Sequence, residues 1–97
     1  MKRIEVVIEA TMAQQAIELA NEAGVRGYSI MPVLGGKGDL GRWKAGELSG
    51  AFEYVCIFSI TQEETARKWI AALGEVLTDY SGVVAMSDVD VLRIEKF

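Results

Sequence analysis

Apolar and polar residues alternate from the start of the chain. In RIEVVIE, residues 3–9, Ile4, Val6 and Ile8 fall on one side against Arg3, Glu5 and Glu9, which predicts a strand with one buried face. The period then changes. Thr11, with Gln14 three positions on, has the spacing of a capping box. Ala13, Ala16, Ile17 and Ala20 form a helical stripe that Gly24 is placed to stop. GYSIMPVL returns to an extended pattern, and Pro32, which has no N–H for a ladder, assigns this strand to an edge or a bulge. AFEYVCIFSI, residues 51–60, is the strongest strand signal in the chain. Thr61 and Glu64 repeat the capping-box spacing before a second helix over about 62–78, with Ala66, Trp69, Ile70, Leu73 and Leu77 on one face. After a DYSG turn, VVAMSDVDVLRI is expected to be the last strand, with a bulge where its phase slips between Val91 and Leu92.

The element order is βαββαβ. It predicts an α+β, ferredoxin-like fold: a four-stranded antiparallel sheet, two helices on one face, and a long loop between strands 2 and 3. With 97 residues and no linker, the chain is one domain, residues 1–97.

The sheet pattern asks for more cover than two helices provide. Phe52, Tyr54, Cys56, Phe58 and Ile60 share one face of the third strand, yet Val55 and Ile57 occupy the other. The last strand places Val83 and Ala85 on one side and Val84 and Met86 on the other. A sheet with one face in water has a polar side, and an apolar second face marks an interface. A homo-oligomer with its sheets facing inward is expected.

Composition narrows the chemistry. Half the residues are hydrophobic and a quarter charged, a globular balance; the net charge of -4 gives no generic attraction to nucleic acid or an anionic membrane. The N-terminus has no uninterrupted apolar run and no segment is long enough to span a bilayer, so a cytoplasmic protein is expected. There is no histidine and one cysteine, which removes disulfides, the usual zinc sites and His-based triads. Cys56, within an apolar run, is expected to be a buried, inert thiol. No catalytic residue and no metal ligand is assigned.

Six glycines crowd residues 35–50, GGKGDLGRWKAGELSG. Gly36, Gly38 and Gly41 fit the G-x-G-x-x-G string. However, no helix pattern opens after Gly41, and no acid lies at residues 55–62, where the ribose contact belongs. A Walker loop fails too, because Gly38 stands where Ser or Thr is needed. What remains is a connection of about sixteen residues, long enough to be functional. Lys37, Arg42 and Lys44 outnumber Asp39 and Glu47, leaving residues 37–50 at net +1 in an acidic chain. Backbone N–H groups at Gly35, Gly36 and Gly38, with Lys37 and Arg42, suit a small anion. Trp43 is expected to dock on a partner or fold back onto a ligand.

These segments also carry a resemblance. GVRGYSI entering a strand, LGGKG with a long loop, DYSGVV and a terminal VLRI, in this order, resemble the PII signal-transduction family. Within it they are similar to the PII-like proteins found beside carboxysome and bicarbonate-transport genes. The resemblance covers nearly the whole chain. It implies a homotrimer with an adenine nucleotide in each cleft between subunits and a target protein met by the loop at 37–50. Carried over, Gly35, Gly36, Lys37 and Gly38 form the base of that loop. Tyr80, Ser81, Gly82 and Val83, with Asp79, stand at a second nucleotide loop. Arg26, Gly27, Tyr28 and Ser29 match a segment closing over adenine, and Arg93 matches a phosphate-directed cation.

Two departures adjust the expectation. The second nucleotide loop is short, and Arg93-Ile94-Glu95 has an anion where the family often has a cation, so ADP or AMP is expected over ATP. The loop has no tyrosine to uridylylate. The expected protein is a cytoplasmic regulator, not an enzyme, that binds ADP or AMP and senses bicarbonate in inorganic-carbon metabolism. The alternatives are a cyclic-AMP- or AMP-binding regulator of a bicarbonate transporter, and a trimeric assembly module without ligand.

Overall fold

A computed structural model describes residues 1–38, 41–44, 54–78 and 82–97. Strand β1 (Lys2–Glu9) is followed by a 3-10 turn (Ala10–Met12), helix α1 (Ala13–Ala23) and strand β2 (Ser29–Val33). A short ribbon follows, β3 (Gly35–Gly38) with β4 (Gly41–Lys44), then β5 (Tyr54–Thr61), α2 (Glu63–Val76) and β6 (Gly82–Asp88). A 3-10 turn (Ile94–Lys96) lies near the end. The main sheet has the order β2-β5-β1-β6, every neighbour antiparallel. This is the four-stranded, two-helix ferredoxin-like sheet that the apolar periods predict, and Pro32 sits on the edge strand β2.

The core lies between the helices and one sheet face. Ile4, Val6 and Ile8 of β1 and Ile57 of β5 are fully buried beneath Ala16 and Ala20 of α1 and Ala66, Trp69 and Leu73 of α2. Trp69 anchors the helix pair: its indole Nε1–H donates to the Ala16 carbonyl at 3.1 Å, satisfying the one polar atom this large side chain carries inside. α1 stops as its glycine predicts. Gly24 takes the left-handed region at φ 99°, its N–H bonded to Ala20 and Asn21, and the Val25 N–H also reaches the Ala20 carbonyl. This double closure turns the chain sharply at the helix end.

Both capping boxes are corrected. α1 is entered through the 3-10 turn that contains Thr11, with Met12 at its N-cap. α2 begins after Gln62 because Thr61 is the last residue of β5, buried in the sheet. Neither cap residue makes a side-chain cap bond. Glu63 and Glu64 in the first turn of α2 still favour its dipole. The last strand is also shorter than expected and has no bulge at Val91. β6 ends at Asp88 opposite Lys2, where β1 begins, so no partner strand exists beyond that pair. Leu92 and Ile94 leave the sheet exposed.

The glycine-rich connection contains an element that its composition does not announce. β3 and β4 pair as a separate ribbon, Gly35 with Lys44, Gly36 with Trp43, Lys37 with Arg42, and Gly38 with Gly41. Glycine weakens strands, so the apolar pattern gives no hint of it. The second apolar face is present as predicted: Val7, Tyr54, Cys56, Phe58 and Ile60 are half-buried, and Met31 and Val83 are exposed. Cys56 is thus half-buried, not buried, in the single chain. Burial, and then the Glu5 carboxylate, push its thiol pKa up, against the Arg3 charge. Phe52 lies outside the described residues.

Candidate functional site

The turn at Gly24 delivers residues 26–29 to the end of β5, and there they border a cleft of about 270 Å³. One wall is Arg26, Gly27, Tyr28 and Ser29. The floor is Phe58, Ser59 and Ile60 of β5, and Lys96 and Phe97 close the far side. The first wall is fixed by Ser59, whose buried hydroxyl donates to the Gly27 carbonyl at 2.6 Å. The far side is fixed by two contacts. Lys96 N–H bonds the Arg93 carbonyl at 3.1 Å, forming the 3-10 turn, and the Gln62 side-chain amide donates to the Phe97 carbonyl at 3.3 Å.

Aromatic rings from three segments (Tyr28, Phe58, Phe97) meet two cations here, and no Asp or Glu side chain lines the cleft. The cations of the sheet and of α2 are paired: Lys2 with Asp88, Arg3 with Glu5, Arg67 with Glu63 and Lys68 with Glu64. Arg26, Lys37, Arg93 and Lys96 have no carboxylate partner among the described residues. In an acidic chain, unpaired cations beside flat apolar rings suit a ligand with an aromatic base and an anionic end.

A family model described as nitrogen regulatory protein P-II matches residues 1–96. The chain belongs to that family. The P-II chain is a signalling protein, not an enzyme. It is similar to CPII, a nitrogen regulatory PII-like protein from Thiomonas intermedia K12, solved with ADP, AMP and bicarbonate. The identity is 29%, with 99% of this chain and 92% of that chain covered at a TM-score of 0.91. A CPII structure with ADP and bicarbonate gives 30% identity, the same coverage and a TM-score of 0.87. The apo form gives 27%, coverage of 93% and 89%, and a TM-score of 0.74. No curated protein matches the chain. The resemblance read from GVRGYSI, LGGKG and VLRI is therefore borne out.

The residues expected to bind ligand in this P-II chain fall in two places. Ser29 lines the cleft, opposite Phe58 in the β2–β5 register. Gly35, Gly36, Lys37 and Gly38 make up β3, and Arg42 of β4 is the register partner of Lys37. Gly82 and Val83 open β6, where Gly82 pairs with Ile8 and Val83 is 61% exposed. Tyr80 and Ser81 lie outside the described residues, as do Asp79 and residues 45–50. Arg93 is exposed and stands just before the last turn, outside the cleft lining.

These two sets occupy opposite ends of the sheet. The cleft is at Phe58–Ile60 of β5. The ribbon and the start of β6 are at its other end, where Tyr54 pairs with Glu9 and Val33. Four to six strand residues separate them, roughly 15 Å at ~3.3 Å per residue. One chain cannot close both sets on one small ligand. Phe58, Ile60, Lys96 and Phe97 were not singled out as ligand residues by the sequence. Phe58 and Ile60 belong to the second apolar face, which signalled an interface. Lys96 gave no signal, because it reaches the cleft through a turn that strand phase does not predict.

Among the described residues no helix is long and apolar enough to cross a membrane.

Proposed function

We propose that this P-II protein is a cytoplasmic adenine-nucleotide sensor that works as a homotrimer, binding ADP or AMP between neighbouring subunits. The separation of the two site halves is the observation that carries this reading. Arg26–Ser29, Phe58 and Ile60 of one subunit would take the base. Gly35–Gly38 and residues 80–83 of the next subunit would take the phosphates from the other side. The apolar second face, with Val7, Cys56, Met31 and Val83, would be covered by the same association. Arg93 is assigned to the phosphate end.

CPII was solved with bicarbonate as well as nucleotides. Bicarbonate is accordingly the second ligand proposed here, held by backbone N–H groups at Gly36–Gly38 with Lys37 or Arg42. The loop at 37–50 would order around that anion and present itself to a target protein in inorganic-carbon metabolism, because a ligand shifts a loop by its differential affinity for the ordered state. Unpaired cations in the cleft weigh against a ligand-free assembly module.

The test is a titration of the full chain with AMP, ADP, ATP and cyclic AMP, with and without bicarbonate, followed by calorimetry and native mass. Binding of AMP or ADP to a trimer, strengthened by bicarbonate, supports the proposal. Preference for cyclic AMP would move the assignment to the transporter regulator. A trimer that binds no nucleotide would leave the assembly module.

A further inference from the structure

The second face of the sheet is not uniformly apolar. Opposite in phase to the buried Ile4, Val6 and Ile8, the other face of β1 carries Arg3, Glu5, Val7 and Glu9. In register across the sheet, Glu5 lies between Phe58 of β5 and Ala85 of β6. Arg3 lies between Ile60 and Ser87, and Val7 between Cys56 and Val83. The Arg3 guanidinium pairs with the Glu5 carboxylate and sits 5.2 Å from the centre of the Phe58 ring. An opposite-charge pair thus stands on an interior strand, bordered by Phe58, Ile60 and Ala85. In the single chain 44% of the Arg3 side chain and 39% of the Glu5 side chain are exposed. Any cover over this face takes water from both.

Apolar burial does not call for such a pair. Desolvating two charges offsets most of their attraction, and apolar residues of the same volume would bury as well or better. What a covered pair adds is discrimination, because a partner with matching charges is accepted and one with like charges is opposed. A patch that presents both signs is complementary to another copy of itself. A guanidinium also has five N–H donors, more than one carboxylate uses, so Arg3 has capacity for a second. We propose that Arg3 of one subunit also takes the Glu5 carboxylate of the next, closing a ring of alternating charge that selects copies of this chain as subunits. This rests on the homotrimer reading and adds to it the residues that choose the partner. Head-to-tail contacts of this kind close into a ring when every subunit carries the same two charges.

The experiment uses the full chain and its charge-swapped form, Arg3→Glu with Glu5→Arg, which keeps both the net charge and a pair within the chain. One of the two carries an isotope label, because their masses are equal. They are co-refolded in equal amounts, and native mass spectrometry counts the mixed trimers. If the charges meet across subunits, each form assembles with itself. Mixed trimers then fall roughly tenfold or more below the binomial share, because like charges oppose one another in them. A binomial share would mean that the pair acts only inside its own chain, and would overturn the proposal. So would an excess of mixed trimers, or a swapped chain that does not assemble with itself. The single variants give a second reading. Arg3→Glu and Glu5→Arg should each be folded by circular dichroism yet dissociated alone, and should form trimers when mixed. Single variants that assemble alone as well as the unaltered chain, or stay apart when mixed, would also overturn it. Where a single variant does not fold, the swapped-chain count decides. If the unaltered chain is a monomer, the homotrimer reading fails first and the charge ring with it.

Discussion

Replacing Ser59 by alanine probes the joint between core and cleft. Ser59 is 2% exposed, and its hydroxyl makes a 2.6 Å bond to the carbonyl of Gly27, thirty-two residues away in sequence. This bond ties the cleft wall 26–29 to the middle of the sheet. Gly27 itself is exposed, so water can reach its carbonyl once the hydroxyl is gone. The loss therefore belongs near an ordinary net hydrogen bond, about 1 kcal/mol, and not at the larger figure for a buried orphan. In a chain of this size that lowers Tm by roughly 4–8 °C. If the ligand uses the wall in its pinned position, nucleotide affinity falls by a similar free energy, about fivefold. Thermal unfolding followed by circular dichroism measures the first effect, and calorimetry with AMP measures the second. An unchanged Tm would refute the hydrogen bond as a stabilising contact. A lowered Tm with unchanged AMP affinity would refute the inference that the wall's position matters for binding.

Three further outcomes follow from single contacts. Trp69→Phe keeps most of the buried area but loses the donor to the Ala16 carbonyl, and should cost ~1–3 kcal/mol in a denaturant titration. A Cβ on Gly82 would lie 3.0 Å from both the Ile8 Cγ2 and the Val7 carbonyl oxygen; Gly82→Ala should therefore destabilise by ~1–3 kcal/mol through forced shifts in β1, read by the same titration. The hydrogen bond and charge of Lys2 hold the Asp88 carboxyl below its ordinary value of 3.8. A depressed folded pKa stabilises above the ordinary value and is lost as pH falls through the folded one. Tm followed down through the carboxylate range should therefore drop less steeply in Asp88→Asn than in the unaltered chain; identical slopes would contradict the pairing.

The apolar periods made β1, both helices and the two-sided sheet legible, because each buries residues at its own spacing. Ile4, Val6 and Ile8, and Ala66, Trp69 and Leu73, are the buried residues those spacings select. Features set by tertiary limits were not legible. Thr61 has a capping-box sequence but is consumed by β5, and β6 stops at Asp88 only because β1 starts at Lys2. The ribbon at 35–44 is written in glycines and cations, which have no strand signature. Of the candidate site residues, Arg26–Ser29 are expected from ordered likeness to a family, and Gly35, Gly36 and Gly38 also from the backbone N–H groups they can bring to an anion. Lys96 was missed because its place depends on a 3-10 turn and on Gln62 reaching the Phe97 carbonyl.

The central claim is that an adenine nucleotide occupies the cleft of this chain. Calorimetric titration of the full-length protein with AMP and with ADP tests it most directly. Saturable binding in the micromolar range or tighter, at one nucleotide per chain, is the predicted result. A folded protein that shows no saturable binding of either nucleotide would contradict the account.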